Sequence, residues 1–593
     1  VREGDRFRAG FTVRNASDRK MDLEISAALS IDTPLEKIVE GLLPGEVKEI
    51  GWDVVVPVGV DSLTWEVLAK EREGIGSDKL KVRQKVVAAV PVRTFQATIT
   101  QIDKPINMNI ERPADALPTK GGVNVSVRAR LSNGLGGVTH FMKNYPYTCM
   151  EQKVSRAVAL RDEELWKKDM AELPSHLDSD GLVKYFPSCI WGSDTLTAYI
   201  LAIAHEAGWE IPQGVRAQME QGLRGFIEGR VIRWSSLPTA DVSIRKMAAL
   251  EALSRYGKAE PNLLGSINLE PNLWPTSAVI DWMNLLMRVN SISDSQKRLK
   301  EAEQILRSRL NFQGTTMGFS TEGMDNLWWL MVSTDVNSVR AILTFLDLDI
   351  WKEDMPRLVR GALGRQYHGA WNLTTANAWG VLAMEKFSSK FESVPVAGAT
   401  SAELEGKTKS VDWGKSPKGE SMTFGWPKGK EDIGISHQGT GRPWATIQSL
   451  AAIPLKEGFS SGYKIKKSLT SVEQKKKGMW SRGDVVRVRL ELESQADMTW
   501  VVVNDPVPAG SSILGTGLGR DSQILTGDEK SAGWVWPAFE ERSFEAFRAY
   551  YEFVPKGKWT VEYTVRLNNE GAFNLPETRV EALYAQEMFG EIP

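Results

Sequence analysis

Cysteine is almost absent from this chain: there are two, Cys149 and Cys189, among 593 residues. That excludes a disulfide framework and a structural zinc site built from cysteines, so at least one of the pair needs an individual explanation. No stretch approaches the roughly 20 apolar residues that cross a bilayer, and the opening VREGDRFRAG is strand-like rather than a signal sequence. The numbering is therefore expected to begin inside something larger. Charge of one sign is also missing, with 73 Lys plus Arg against 75 Asp plus Glu. No overall field would draw nucleic acid or an anionic membrane, and partners must be chosen locally. The five histidines, His140, His176, His205, His368 and His437, make neither HExxH nor another metal spacing, so no metal and no cofactor is expected.

What is present is length, far too much for one core, and two textures. Residues 1–90 alternate apolar and polar positions in short runs such as FRAGFTVRN (7–15) and LTWEVLAKE (63–71), separated by Gly, Asn and Asp turns. They read as a β-sandwich. Strand patterns continue over 91–136, with TFQATITQI (94–102) and GGVNVSVRARLS (121–132). From 137 to 392 the period changes from 2 to 3.6, with helical patterns at 149–161, 193–207, 213–228, 240–256, 275–289, 294–310, 330–346, 351–364 and 374–388. Three segments share a Trp in a Gly- or Pro-rich loop followed by a helix with small residues: IWGSDTLTAYILAIA (190–204), LWPTSAVIDWMNLL (273–286) and AWNLTTANAWGVLAM (370–384). This is a degenerate helical-hairpin repeat. The Ser/Gly/Pro/Lys-rich stretch 393–432 reads as linker, after which strands return. An α domain inserted in a β host accounts for the order, with 91–136 and 433–470 as two parts of one β domain and 471–593 as a last sandwich.

The chemistry sits at the junction, NYPYTCMEQKVSRAVAL (144–160), with Cys149 and Gln152 at i and i+3. A thiolate can attack a Gln side-chain carbonyl and expel ammonia, leaving an internal thioester, when both side chains share one face of a turn. At a helix start, exposed backbone N–H groups are expected to lower the Cys149 pKa and polarise the Gln152 carbonyl. Cys-x-x-Gln alone is also what a buried cysteine at a helix start looks like.

The run Tyr145, Pro146, Tyr147, Thr148, Cys149, Met150, Glu151 and Gln152 resembles the thioester-containing family of alpha-2-macroglobulins and complement components, above all the bacterial Tyr-Pro-Tyr-Gly-Cys-Leu-Glu-Gln form. Thr148 stands for Gly and Met150 for Leu; neither departure removes a reacting atom. The resemblance continues in WGSDTLTAYILAIAHEAGWEIP (191–212), LMVSTDVNSVRAILTFLDL (330–348) and VNDPVPAGSSI (503–513). It implies a multidomain β plus α protein. Residues 1–90 would be a macroglobulin-like sandwich, 91–136 and 393–470 the parts of a CUB-type β domain, 137–392 an inserted α/α-toroid thioester domain, and 471–593 a second macroglobulin-like sandwich. It further implies a single-use protease trap rather than an enzyme with turnover. A protease cuts a bait segment, expected upstream of residue 1, and an amine on that protease is acylated by the Gln152 carbonyl while Cys149 leaves. The expected compartment is the periplasm, with possible membrane anchoring through a missing N-terminal region.

A thioester must be kept dry. Tyr145 resembles the shielding aromatic of bacterial members, and LYAQEMFGEI (583–592) offers Tyr584, Met588 and Phe589 in a loop after the final strand, with Met588 the preferred contact; these three would equally finish a sandwich core. Complement members with a catalytic His favour hydroxyl acceptors; no His lies between 206 and 367, so amines are favoured. Cys189 reads as a packed loop cysteine, GTGLG (515–519) as a loop rather than a nucleotide site, and EQKKKG (473–478) as a solvated face. An α-hairpin toroid also serves terpene cyclases and some glycosidases, but no DDxxD-like cluster or identifiable carboxylate pair accompanies it here. The serious alternative is a macroglobulin-like scaffold that binds without a thioester.

Overall fold

A computed structural model describes residues 1–31, 35–320, 326–515, 526–527, 529, 533 and 535–593. By its contacts the chain divides into two compact units: Val1–Pro91, Ile453–Ala582 and Glu587–Pro593 form one, and Val92–Ala452 with Leu583–Gln586 form the other.

The first unit holds two β-sandwiches. One sets strands Arg6–Arg14 and Val47–Val55, edged by the short Gly571–Ala572, against a sheet ordered Ile38–Leu42, Met21–Leu29, Ser62–Glu71, Ser77–Lys85. Period-2 patterning does what it promises: Leu63, Trp65 and Val67 point inward on one strand and join Ile25 and Trp52 in the core. The other pairs a six-stranded sheet around Met498–Pro506 with a four-stranded sheet around Val485–Ser494, whose Val486, Val488, Leu490 and Leu492 alternate inward. The residues of GTGLG from 516 onward lie outside the described residues.

In the second unit, strands from both sides of the helical segment pair with each other. Trp444–Ala451 lies between Arg93–Gln101 and Gly121–Arg128, and Glu431–Thr440 pairs with Ile106–Ile110. The supposed linker 393–432 carries three strands of the same sandwich, Ala397–Leu404, Lys407–Asp412 and Ser421–Phe424. Its polar composition misled because two of these are edge strands with largely exposed side chains, where charged residues are suited. The second boundary also shifts. Phe459–Ser461 and Tyr463–Glu473 belong to the last sandwich, separated by Gly462 at φ 99°.

Eleven α-helices occur among the described residues: α1 (Gly136–Asn144), α2 (Met150–Leu160), α3 (Glu163–Glu172), α4 (Asp194–Ala207), α5 (Gln213–Ile227), α6 (Val242–Ser254), α7 (Thr276–Arg288), α8 (Ser295–Ser308), α9 (Thr334–Leu348), α10 (Met355–Gly364) and α11 (Thr374–Phe391). Two of them, α1 and α3, were not expected. The first opens on two glycines, which weaken helix propensity, and the second buries only Trp166, Asp169 and Met170 in an otherwise charged stretch. The segment is also not wholly helical, since Leu310–Gln313 and Thr316–Phe319 form a hairpin turning at Gly314, φ 58°.

Helix contacts run α2 to α4, α4 to α6, α6 to α7, α7 to α9, α9 to α11 and α11 back to α2, closing a cycle. The remaining helices pack on members of the cycle, α1 and α3 on α2, α5 on α6, α8 on α7 and α10 on α9. Burial follows this order. Helix α7 is buried at every position from Thr276 to Leu286, whereas α8 buries Ala302 and Leu306 alone. Ion pairs staple successive members of the cycle: Arg245 to Asp194 at 2.5 Å, Arg288 to Glu251 at 2.8 Å, Arg340 to Asp281 at 2.5 Å and Lys386 of α11 to Asp347 of α9, while Lys386 also reaches across to Glu206 of α4 at 3.1 Å. Such pairs are weak evidence of net stability, but removing one partner strands a charge and costs about 3–5 kcal/mol.

Candidate functional site

Helix α1 stops at Asn144 because Tyr145 precedes Pro146, and the residue before proline is driven to extended backbone; Tyr145 has φ −65° and ψ 121°. The Tyr-Pro-Tyr connection is held from the second turn of α2, where the Arg156 guanidinium donates to the carbonyls of both Tyr145 and Tyr147, the latter at 3.2 Å. The chain then enters α2 with Cys149 as N-cap, φ −66° and ψ 167°. Thr148 is exposed without a positive φ, so the absent glycine is not required by the turn. Met150 is fully buried, and its N–H donates to the Tyr185 carbonyl at 3.0 Å.

Cys149 and Gln152 form a reciprocal capping box with a thiol in place of the usual hydroxyl. The Gln152 backbone N–H donates to the Cys149 side chain, and the Cys149 backbone N–H donates to Gln152 Oε1 at 3.1 Å. Gln152 Nε2 is 3.5 Å from Tyr145 Oη, at the far limit of a hydrogen bond. The Tyr145 ring is half-buried, 5.4 Å from Phe141 and edge-on to Tyr147 at 5.6 Å. Cys149 is 0% and Gln152 1% exposed, so the thiol and the amide lie together out of water.

The expected lowering of the Cys149 pKa does not occur. Burial pushes the thiol well above its ordinary value, the nearby Glu151 carboxyl adds to the rise, and the backbone N–H groups of Gln152 and Glu151 only partly oppose it. A helix N-terminus favours the thiolate, but desolvation disfavours any charge, and at full burial desolvation wins.

Glu151 itself was read from the sequence as a motif position without a contact. It is 0% exposed. Oε1 accepts from Ser155 Oγ at 2.5 Å and Thr374 Oγ1 at 2.8 Å, while Oε2 accepts from Tyr584 Oη at 2.8 Å. Ser155 Oγ is in turn 2.6 Å from Tyr199 Oη. Burial raises the Glu151 carboxyl despite the three hydroxyls. Ser155, Tyr199 and Thr374 could not be picked from the sequence, because each stands at an ordinary helix-core position. Cys189 is half-buried on the loop before α4. Among the described residues no group of three or more His, Cys, Asp or Glu is gathered to hold a metal ion.

The comparisons with known proteins separate domain from fold. No curated protein matches the sequence. Residues 462–587 match the profile of the Bacterial Alpha-2-macroglobulin MG10 domain. This part of the chain is similar in sequence to the MG10 domain of bacterial alpha-2-macroglobulin. The whole chain aligns with native Escherichia coli alpha-2-macroglobulin spanning domain MG7 to the C-terminus, at TM-score 0.74 and 16% identity, covering 100% of this chain and 96% of that one. Salmonella alpha-2-macroglobulin reacted with methylamine aligns at TM-score 0.74 and 18% identity, and the native E. coli protein seen by cryo-EM at 0.74 and 15%, both over 100% of this chain. The chain spans 39% and 38% of those two longer chains. The resemblance to bacterial alpha-2-macroglobulin read from residues 145–152 therefore holds for the fold throughout and for the MG10 domain in sequence.

The MG10 match ends beside the last residues singled out for the shield. Met588 and Phe589 do not lie in a terminal loop: they sit in the final strand, Ala585–Ile592, which pairs with Phe459–Ser461. The weak alternation of AQEMFGEI had concealed that strand. Met588 lies over Gly462, where a Cβ would come within 2.3 Å of its methyl, and Phe589 packs 5.4 Å from Phe459 with the Arg579 guanidinium 4.6 Å above its ring. Only Tyr584, in the Leu583–Gln586 segment, shares a unit with Cys149.

Proposed function

We propose that the chain is the C-terminal part of a bacterial protease trap whose Cys149 and Gln152 form a thioester that acylates an amine of the attacking protease. The reciprocal Cys149–Gln152 geometry carries this reading. The thiol sulfur attacks Gln152 Cδ, the C–N bond breaks, and the thiol proton leaves with the nitrogen as ammonia. The Cys149 backbone N–H, already on Gln152 Oε1, stabilises the charge that develops on that oxygen. On trapping, a protease lysine attacks the same carbon, an amide forms, and Cys149 departs as a thiol. Each molecule acts once. The cycle of six helices supports reading 137–392 as an α/α-toroid thioester domain, and the strand pairing around it supports a CUB-type host.

Burial serves both stages of this chemistry. A dry thioester meets no water, and a buried Cys149 is a poor thiolate leaving group, so aminolysis stays slow until the site is opened. Bait cleavage outside the present residues, a periplasmic location and a lipid or membrane anchor are part of the proposal through the family resemblance of residues 145–152. Among the described residues no helix is long and apolar enough to cross a membrane. The test is intact mass and thiol titration with methylamine, the reagent used on the Salmonella relative. Methylamine should add to Gln152 and release one thiol in the wild type, and do neither in Cys149→Ala. A wild type that behaves like the mutant would establish the alternative, a scaffold that binds without covalent capture.

A further inference from the structure

Three hydroxyls converge on the one carboxyl of the motif, and one of the three comes from a turn distant in sequence. We infer that Glu151 is a positioning residue for the thioester site: its Oε2 fixes the hydroxyl of Tyr584, and through it the turn 583–584 that leads into the final strand, as the cover of Cys149. This rests on the thioester reading and adds to it the group that regulates access.

The observations are geometric. Tyr584 is 3% exposed and Glu151 0%, and their oxygens are 2.8 Å apart. Burial, and after it the nearby Glu151, Tyr185 and Cys149, push the Tyr584 hydroxyl well above its ordinary value. The Tyr185 carbonyl receives the N–H of Met150, the residue next to Cys149. Oε1 is occupied by Ser155 and Thr374, which fix the carboxyl from α2 and α11 and leave Oε2 directed at the tyrosine. A fully buried carboxyl is costly, and nothing in the acyl chemistry uses this one. Its place is explained if it holds the cover shut: a hydroxyl given to a carboxylate is a stronger bond than one given to a neutral acceptor. When the turn leaves, Glu151 loses one donor of three and Cys149 loses its aromatic cover in the same event.

The two oxygens also prescribe the control. Gln at 151 can present its carbonyl oxygen to Tyr584 and its amide N–H groups to Ser155 and Thr374, whose hydroxyls accept as well as donate. Glu151→Gln should therefore hold the cover more weakly than Glu151 but still hold it, whereas Glu151→Ala and Tyr584→Phe should release it. A hydrogen bond to a charged group governs an opening equilibrium by about tenfold or more. Methylamine-dependent thiol release should accelerate by about tenfold in Tyr584→Phe and in Glu151→Ala, by only a few-fold in Glu151→Gln, where a neutral acceptor replaces the charged one, and be no faster in the Tyr584→Phe/Glu151→Ala double variant than in Glu151→Ala alone. Unchanged release in Tyr584→Phe, or effects of the two substitutions that multiply, would overturn the inference. To separate this from failure of the thioester itself, the same substitutions are placed in a Gln152→Ala, Cys189→Ser background, where no thioester can form and Cys149 alone can react with a thiol reagent. There Tyr584→Phe should speed alkylation of Cys149 by a similar factor, and no change would overturn the inference whatever methylamine shows. Tyr584→Phe keeps the ring, which guards the test against a simple loss of folding.

Discussion

Helix α11 delivers Thr374 to Glu151, and its own seating rests on Gly380. A Cβ built on Gly380 would meet the Trp371 ring at 2.2, 2.6 and 2.7 Å. Two effects compete in Gly380→Ala. Alanine in a helix interior gains about 1 kcal/mol over glycine, while overpacking a full core costs about 1–3 kcal/mol. Which wins depends on whether Trp371 can yield. It is 0% exposed, its Nε1 donates to the Ala362 carbonyl at 2.8 Å, and its backbone N–H and carbonyl are both bound by the Asn377 side chain at 3.1 and 2.7 Å. A shift of the ring would forfeit at least one of these bonds, about another 1 kcal/mol. We expect a net loss of about 2 kcal/mol and a fall in Tm of roughly 4 °C. The control is Gly214→Ala in α5, whose Cβ would meet nothing within 4 Å; it should be neutral or stabilising by up to about 1 kcal/mol. Thermal unfolding followed by circular dichroism decides. A Gly380→Ala protein as stable as the wild type, or more so, would refute the claim that the Trp371 seat is rigid.

Two further outcomes follow from single groups. Asp169 on α3 is buried with Oδ2 unpartnered, and burial raises its carboxyl to about 6 against the pull of Lys153. The folded state thus holds this proton more tightly than the unfolded one: the contribution is fully present below the unfolded pKa of about 4 and is lost as pH rises through about 6. The full shift is worth about 3 kcal/mol, and screening by solvent and neighbouring lysine leaves about 1–2 kcal/mol. Asp169→Asn should therefore melt higher than wild type at pH 8 and no higher at pH 4. Tyr145→Ala should accelerate methylamine-dependent thiol release several-fold, while Tyr145→Phe, which keeps the ring against Phe141 and Tyr147, should stay close to wild type. Equal rates in Ala and Phe variants would show that the hydroxyl near Gln152, not the ring, is what Tyr145 contributes.

The fold was legible where one physical requirement dominated. Strands with one wet face, such as Ser62–Glu71, and helices with small residues and caps, such as α4 behind Ser193, announced themselves. Legibility failed where two requirements overlapped. Trp444–Ala451 is buried on both faces and shows no alternation, so its strand character rests on flanking signals alone. The shared Trp-loop-helix pattern also concealed three different fates: Trp371 is 0%, Trp274 7% and Trp191 62% exposed. A pattern of one Trp before a helix gives the place of the aromatic but not its partner, because the partner, Gly380 for Trp371, is a glycine whose importance is the space it leaves.

The site divides in the same way. Cys149 and Gln152 could be paired from spacing because one turn of helix brings them together, whatever the rest of the chain does. The sign of the Cys149 shift could not, since it depends on a competition between local N–H groups and burial by segments as remote as residue 584. That competition explains why the motif needs its enclosure. If the thiol were as acidic as an exposed helix N-cap would make it, the same acidity that helps form the thioester would make Cys149 a ready leaving group for any passing amine. Burial reverses this by disfavouring the thiolate, so in the proposed thioester reactivity would be a property of the opened site rather than of the bond. The Tyr584 hydroxyl on Glu151 then matters as the bond that keeps the surroundings of the sulfur in place.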